Sequence, residues 1–392
     1  MFNGCDFIMN NTLTESQIVF LRVLSDFINN RKTTLDDECF KRIDRDIELY
    51  ASKHCVEAIV YYQLKKSGIK LDNLHTEYVK QIYRYHNLNK AINSFKETLL
   101  CEELIFFKGM TIADQYPVPA LRSMGDQDVL VHPERMSYIT EKLLNHNATV
   151  GEEKNSFYFR GFLFELHDSL VHDYAINQKY IELFTDAWQH NNNGVFDWNY
   201  HILYLFVHLK NHLAGDGVGF RQFMDIAILT KNLQLNWNWI LEKSESIGLQ
   251  NFVKTVLAFN TQWFEVITST STEIDDAFFI EATRVVFEDG VFGYKKGNGE
   301  DLGALVCNDG KSFRKTQIKY LMVQSFPTLK TMQSVSYCSY LKKYPLLLPF
   351  AWMHRLFYRM FDKKAIEGLK NRAFVSESEV LLKVNQLKKW GL

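Results

Sequence analysis

Residues 106–131 read FFKGMTIADQYPVPALRSMGDQDVLV. The apolar run LIFF at 104–107 enters this stretch, Lys108 and Gly109 follow it, Pro117 and Pro119 interrupt it, and Asp126, Gln127 and Asp128 lead directly into the apolar VLV of 129–131. LIFF and the alternating DQDVLV both read as strands. Alternate residues of a strand share a face, so Asp126, Asp128 and Leu130 point one way while Gln127, Val129 and Val131 point the other. Two aspartates at i and i+2 therefore converge in front of the sheet. Burying such anions unpaired is costly, and a hard divalent cation with oxygen ligands, Mg²⁺ by default and Mn²⁺ as an alternative, neutralises them.

A pair of ions held by carboxylates is the usual device for in-line displacement at phosphorus, one ion activating the attacking oxygen and the other steadying the leaving group. That chemistry needs a phosphate cradle beside the carboxylates. Gly109, following a short strand, lets backbone N–H groups approach phosphate oxygens, and MTIADQY after it is expected to begin a helix. Lys108 and Arg122 add positive charge to the same place.

Working outward, the 392-residue chain is long enough for roughly two to three domains. Its 45 basic and 46 acidic side chains nearly cancel, so the chain as a whole lacks the positive field that binding long nucleic acids requires. The six cysteines, at positions 5, 39, 55, 101, 307 and 338, form no CxxC pair, and they read as free thiols in a reducing cytosol. No signal peptide and no membrane-spanning apolar stretch is expected, which points to a cytoplasmic protein.

All six prolines lie at or beyond position 117, which permits long helices before it. Helical spacing runs through TESQIVFLRVLSDFINN, through residues 38–69 as one run, and through HTEYVKQIYRYHNLNKAINSFKETLLCEE. From 101 to 190 the period shifts to strands, with SFYFRGFLFELH read as two strands meeting near Gly161 and RMSYITEKLLNHNA as a helix between strands. Helical spacing returns in HILYLFVHLKNHL, RQFMDIAILTKNL and NFVKTVLAFNTQWFEVI, and GVFGYKKGNGEDLG at 290–303 reads as a loop. The expected divisions are a helical domain at 1–100, an α/β core at 101–190, a helical domain completing the cleft at 191–270, and a mostly helical region at 271–392.

The order strand, KG, a helix closing in YPVP, Arg122, and then D-x-D leading into a strand resembles the nucleotidyltransferase superfamily, with its DNA polymerase beta-like fold. More narrowly, the chain is similar to an uncharacterised bacterial branch carrying KG, YP, P, R, D-x-D and LV in this order. Further points of resemblance are an acidic-x-His pair, here Glu165 and His167, downstream helices with His208, His212 and Asp225, and the tail YLKKYPLLLPFAWMHRLFYRM. The resemblance implies an α+β fold, a small mixed β-sheet core flanked by mainly α-helical N- and C-terminal regions. It also implies a Mg²⁺-dependent enzyme that uses two ions to move an NMP from an NTP, ATP included, to a small acceptor. Asp126, Asp128 and Glu165 would be the catalytic and metal-binding set, and Lys108, Gly109, Met110 and Arg122 would bind nucleotide. Two positions depart from the superfamily pattern: Met110 stands where a serine usually follows the glycine, and Glu165 stands where the third acid is usually Asp.

Other readings stay open. A D-x-D can hold a nucleotide sugar in a glycosyltransferase, although the residues before it here are helical rather than alternating strand and helix. A non-catalytic binding or regulatory module on the same fold is the third. His208 and His212 share a helix face at i and i+4 and could bind zinc, but HLKNH lacks the glutamate of a zinc-protease helix. Arg221 stands four residues before Asp225, which suggests an intrahelical pair or, with His167, His208 and His212, a lining for the substrate cleft. The run from Lys342 to Lys370 is basic and amphipathic; such runs can lie on anionic membrane but more often pack on their own protein, so peripheral membrane contact is not expected here.

Overall fold

The computed structural model describes residues 13–153, 155–171, 178–215, 217–291, 325–327, 329–333, 343–359 and 377–392, with the single positions 315, 318, 322, 338, 340 and 341. Most of the expected loop at 290–303 lies outside the described residues. Two compact units make up the chain, Met1–His212 with Gly217–Tyr294 and Gly391, and Leu213–Asp216 with Lys295–Trp390 and Leu392. The sheet and every candidate site residue belong to the first.

Helix α1 (Glu15–Ile28) starts at a reciprocal cap in which Thr14 Oγ1 accepts from Gln17 N–H and Gln17 Oε1 accepts from Thr14 N–H. The helical run expected at 38–69 is two helices, α2 (Asp37–Lys53) and α3 (Glu57–Lys66). Cys55 between them adopts a left-handed φ of 54°, which no helix continues through. With no proline to stop it, α4 (Asp72–Thr98) runs for 27 residues.

The chain then forms β1 (Leu104–Phe107), the short helix α5 (Gly109–Ala113), β2 (Asp126–Val131), α6 (Met136–Asn145) and β3 (Thr149–Val150). β4 (Ser156–Phe159) and β5 (Phe162–His167) meet at Arg160 and Gly161, whose φ values of 50° and 82° make the two-residue turn that suits a hairpin's twist. Helix α7 (Gln178–Leu183) precedes two strands that the sequence reading lacks, β6 (Asn191–Asn192) and β7 (Val195–Phe196). Each is two residues long, too short to show a period. After them come α8 (Trp198–Ala214), α9 (Phe220–Asn232), α10 (Trp237–Ser246), α11 (Gln250–Phe264) and α12 (Asp276–Asp289). The second unit contains α13 (Leu329–Gln333), α14 (Leu348–Arg359) and α15 (Glu377–Lys389).

The seven strands lie in the order β3-β4-β5-β2-β1-β7-β6. β2 runs parallel to β5 and β1 parallel to β7, while β1 and β2 are antiparallel, so the sheet is mixed and the fold is α+β as expected. One sheet face is apolar: Leu104, Phe106, Val129, Val131, Phe164 and Leu166 pack under Leu88, Ile92 and Phe95 of α4 and Ile139 and Leu143 of α6. Phe95 lies flat on Phe164, with ring centroids 4.3 Å apart and planes 4° apart. By alternation the opposite face carries Phe107, Asp128, Glu165 and His167. There Phe107 meets Tyr204 of α8 edge-on at 5.4 Å.

Candidate functional site

The parallel register of β2 and β5 sets Asp128 beside Glu165 and Leu130 beside His167. Residues opposite each other in a pair of strands share a face, so three side chains from two strands arrive at one point. One donor atom each from Asp128, Glu165 and His167 lie within 4.8 Å of one another, and among the described residues this is the only three-donor group of its kind. His167 Nε2 is 2.9 Å from Asp128 Oδ1 and 3.9 Å from Glu165 Oε2.

Lys108 reaches the same point by breaking the strand. Phe107 faces the site, so the next residue of a continuing strand would face the apolar core. Lys108 instead takes a φ of 60° and its Nζ lies 2.8 Å from Asp128 Oδ1. A non-glycine residue with positive φ is strained, and such strain collects where a side chain must be aimed. The displaced backbone is held, since Lys108 N–H donates to His201 Nε2 at 3.2 Å. His201 is fully buried, and burial, reinforced by the charge of Arg122, lowers its pKa to about 3. It is therefore neutral and has a lone pair to offer.

Burial alone would raise the pKa of Asp128, but the Lys108 ammonium and the His167 hydrogen bond outweigh it and hold the carboxylate well below the usual range. Burial likewise works against the charge on Lys108; Asp128 above all, with Tyr204 beside it, more than offsets that cost and raises its pKa. Glu165 goes the other way. Burial, then repulsion from Asp126, Asp128 and Glu153, pushes it up to about 7. The site thus joins a deeply buried anion matched by one cation to a neighbouring carboxyl that exchanges its proton near neutrality.

The donors suit a divalent cation. Asp128 and Glu165 offer hard carboxylate oxygens, His167 an imidazole nitrogen, and all three lie close enough for one small ion to touch them. Asp126, half-buried opposite Leu163 at the start of β2, is outside that group, although its charge acts on Glu165 and on Lys108.

The remaining candidates divide. Gly109 has a φ of +41°, and a Cβ there would come within 2.8 Å of Gln127 Oε1. Met110 turns its side chain into the apolar core with Phe106 and Val129, and its N–H lies 3.4 Å from Gln127 Oε1. With Lys108 N–H given to His201, two of the turn's amides are engaged by side chains. The Arg122 guanidinium is engaged by other groups: Nε and Nη2 each donate to one oxygen of Asp225 at 2.8 Å, and Nη1 donates to Gly109 O at 3.0 Å. Tyr116 also donates to Asp225, at 2.6 Å. The pairing of Asp225 with Arg221 suggested by their spacing is not formed, because Arg221 donates instead to Ser123 O and Oγ. A bidentate fork from a buried guanidinium outcompetes an i, i+4 neighbour at the helix surface. His208 and His212 bond each other, Nε2 to Nε2 at 3.1 Å, and His208 lies over Tyr204.

Tyr204, His201 and Tyr116 are site-supporting residues that the sequence reading passed over. Tyr204 had a signal, standing four residues before His208 on one helix face. His201 had none, because its role depends on a backbone amide displaced by the Lys108 turn.

The profile of a family described as "Uncharacterised nucleotidyltransferase" matches residues 46–265, a span that contains the whole sheet and α3 to α11. No curated protein and no solved structure matches the chain.

Proposed function

Because this chain belongs to the family of uncharacterised nucleotidyltransferases, we propose that it moves an NMP group from an NTP to a small acceptor in a Mg²⁺-dependent reaction that releases pyrophosphate. The observation that supports this most directly is the meeting of Asp128, Glu165 and His167 on the sheet face opposite the apolar core, with Lys108 beside them. Asp128, Glu165 and His167 would hold a divalent ion, with Asp126 available to a second, and bound Mg²⁺ would polarise the phosphate oxygens and steady the leaving group.

The protein's own groups supply the rest. Glu165, with a pKa near neutrality, is placed to take the acceptor hydroxyl proton. Lys108 is the ammonium nearest the site's carboxylates, and it can shift from Asp128 to a phosphate oxygen as the nucleotide arrives. Gly109, with no Cβ, lets the chain turn closely over Gln127 behind the site. Arg122 contributes indirectly, tying Asp225 of α9 to the carbonyl of Gly109 and so fixing the turn that aims Lys108.

The test is calorimetric binding of each NTP with Mg²⁺ or Mn²⁺, together with transfer of labelled NMP to small molecules from a lysate. Asp126→Asn with Asp128→Asn should remove metal-dependent NTP binding and transfer while the circular dichroism spectrum is kept. Undiminished binding and transfer by that variant would refute the assignment. A metal-dependent melting shift with a UDP-sugar but with no NTP would favour glycosyl transfer, and no metal or nucleotide binding at all would favour a regulatory module.

A further inference from the structure

Residues 122–125 lead into Asp126 without belonging to a helix or a strand, so their carbonyls have no ladder partners. Side chains take all four. Gln81 Nε2 donates to Arg122 O at 2.7 Å, Arg221 Nη1 to Ser123 O at 3.2 Å, Arg84 Nε to Met124 O at 3.1 Å and Arg84 Nη2 to Gly125 O at 3.0 Å. Gln81 and Arg84 stand three residues apart on one face of α4, and Arg221 comes from α9. Water can satisfy the carbonyls of a surface connection, but a side chain anchored on a helix also fixes their direction.

Of these clasps, the Arg84 fork bears most directly on the site. Gly125 O lies in the planar peptide that ends on the nitrogen of Asp126, so fixing that oxygen fixes the plane from which the Asp126 Cα departs. The guanidinium is itself set against Phe162, its Cζ 5.3 Å from the ring centroid. Phe162 begins β5, and the next residue, Leu163, is the cross-strand partner of Asp126. Arg84 thus joins the residue just ahead of β2 to the first residue of β5, the two strands that carry the site's carboxylates. Asp128 is held by its side chain, at 2.8 Å from Lys108 Nζ and 2.9 Å from His167 Nε2. Neither of those contacts is made by the Asp126 carboxylate, which lies outside the three-donor group, so its position follows from its backbone.

We propose that Arg84 is a positioning residue for Asp126. By clasping Met124 O and Gly125 O it aims that carboxylate at a second divalent ion, beside the one taken by Asp128, Glu165 and His167. This rests on the proposed reading of the site as a metal-dependent transfer centre and deepens it, because a residue of α4, outside the sheet, then sets whether the second ion binds. Arg84 is a cation and acts through the main chain, not as a ligand.

Binding of Mn²⁺ to the full chain, followed by the electron paramagnetic resonance of the free ion, tests this without turnover. Wild type should bind two ions and Asp126→Asn only one. Arg84→Met should leave the ion that Asp126→Asn retains unchanged and weaken the other at least about tenfold, as loss of an outer-shell partner does. Arg84→Lys should keep the melting temperature near wild type, since its stem still covers Phe162. It should nevertheless weaken the second ion, because one ammonium cannot hold two carbonyls at the spacing of the guanidinium fork. The same variant carries the comparison should Arg84→Met not fold. Gln81→Leu frees only Arg122 O, four residues before Asp126, and should lower melting without changing either ion's affinity. Added to Asp126→Asn, Arg84→Met should change Mn²⁺ binding no further. An unchanged second ion in the Arg84 variants, an equal weakening of both ions, or an equal effect of Gln81→Leu would overturn the proposal and leave the metal centre standing. A wild type that binds one ion removes the second site and this proposal with it, whereas a wild type that binds none also removes the reading on which it rests.

Discussion

Asp225→Asn separates two roles for Arg122, holding the fold and neutralising a nucleotide. Asp225 accepts three hydrogen bonds, from Tyr116 at 2.6 Å and from Arg122 Nε and Nη2 at 2.8 Å, and the Arg122 and Asp225 side chains are only 7% and 9% exposed. Asn keeps one acceptor oxygen but turns an NH₂ toward Arg122 and removes the charge that matched the guanidinium. Removing one partner of a buried pair typically costs about 3–5 kcal/mol. At roughly 2–4 °C per kcal/mol for a unit of this size, melting should fall by roughly 6–20 °C. Arg122→Met alone should be comparably harmful, and the double variant should cost less than the sum, with a coupling of about 1–3 kcal/mol in urea denaturation. A melting temperature within about 2 °C of wild type, accompanied by an approximately tenfold loss of NTP affinity, would refute the reasoning. Arg122 would then serve phosphate rather than the turn.

Three further outcomes follow from the same site. Met110→Ser should lower stability in urea by at least about 2 kcal/mol without tightening NTP binding, because the side chain lies in the core; a neutral variant with higher affinity would place it against phosphate. Lys108→Met leaves Asp128 buried without its ammonium, so melting should fall in chelator and recover on adding Mg²⁺ by more degrees than in wild type; equal metal shifts in both proteins would count against Asp128 as a ligand. Glu165 has a folded pKa of about 7 against an ordinary value of 4.5, so the stability linked to its proton is complete below 4.5 and lost as pH rises to 7. Glu165→Gln should therefore match wild type near pH 4.5 and be more stable at pH 8, by about 1 kcal/mol once solvent screening of this half-buried group is allowed for. A constant difference across melts from pH 4.5 to 8 would contradict the repulsion that raises Glu165.

What the sequence determined alone was local and periodic. The alternation of DQDVLV and FLFELH put Asp126 and Asp128, and Glu165 and His167, on shared strand faces, and the proline-free start of the chain gave α1 and α4 nearly to their ends. Tertiary structure decided everything that depends on which elements become neighbours. Only the parallel register of β2 and β5 brings His167 onto Asp128, and only the left-handed turn at Lys108 sends its ammonium to the site rather than into the core. Arg122 finds Asp225 from 103 residues away and takes it from Arg221, which sequence spacing had made the natural partner. Met110, next to a glycine turn, reads as a phosphate contact until its side chain, on the short helix α5, is seen to lie in the apolar core. The physical reason is common to all of these. Periodicity fixes the direction of a side chain relative to its own element, whereas an ion pair, a ligand set or an exposed face is fixed by competition among elements far apart in the chain, and that competition is settled only when they pack.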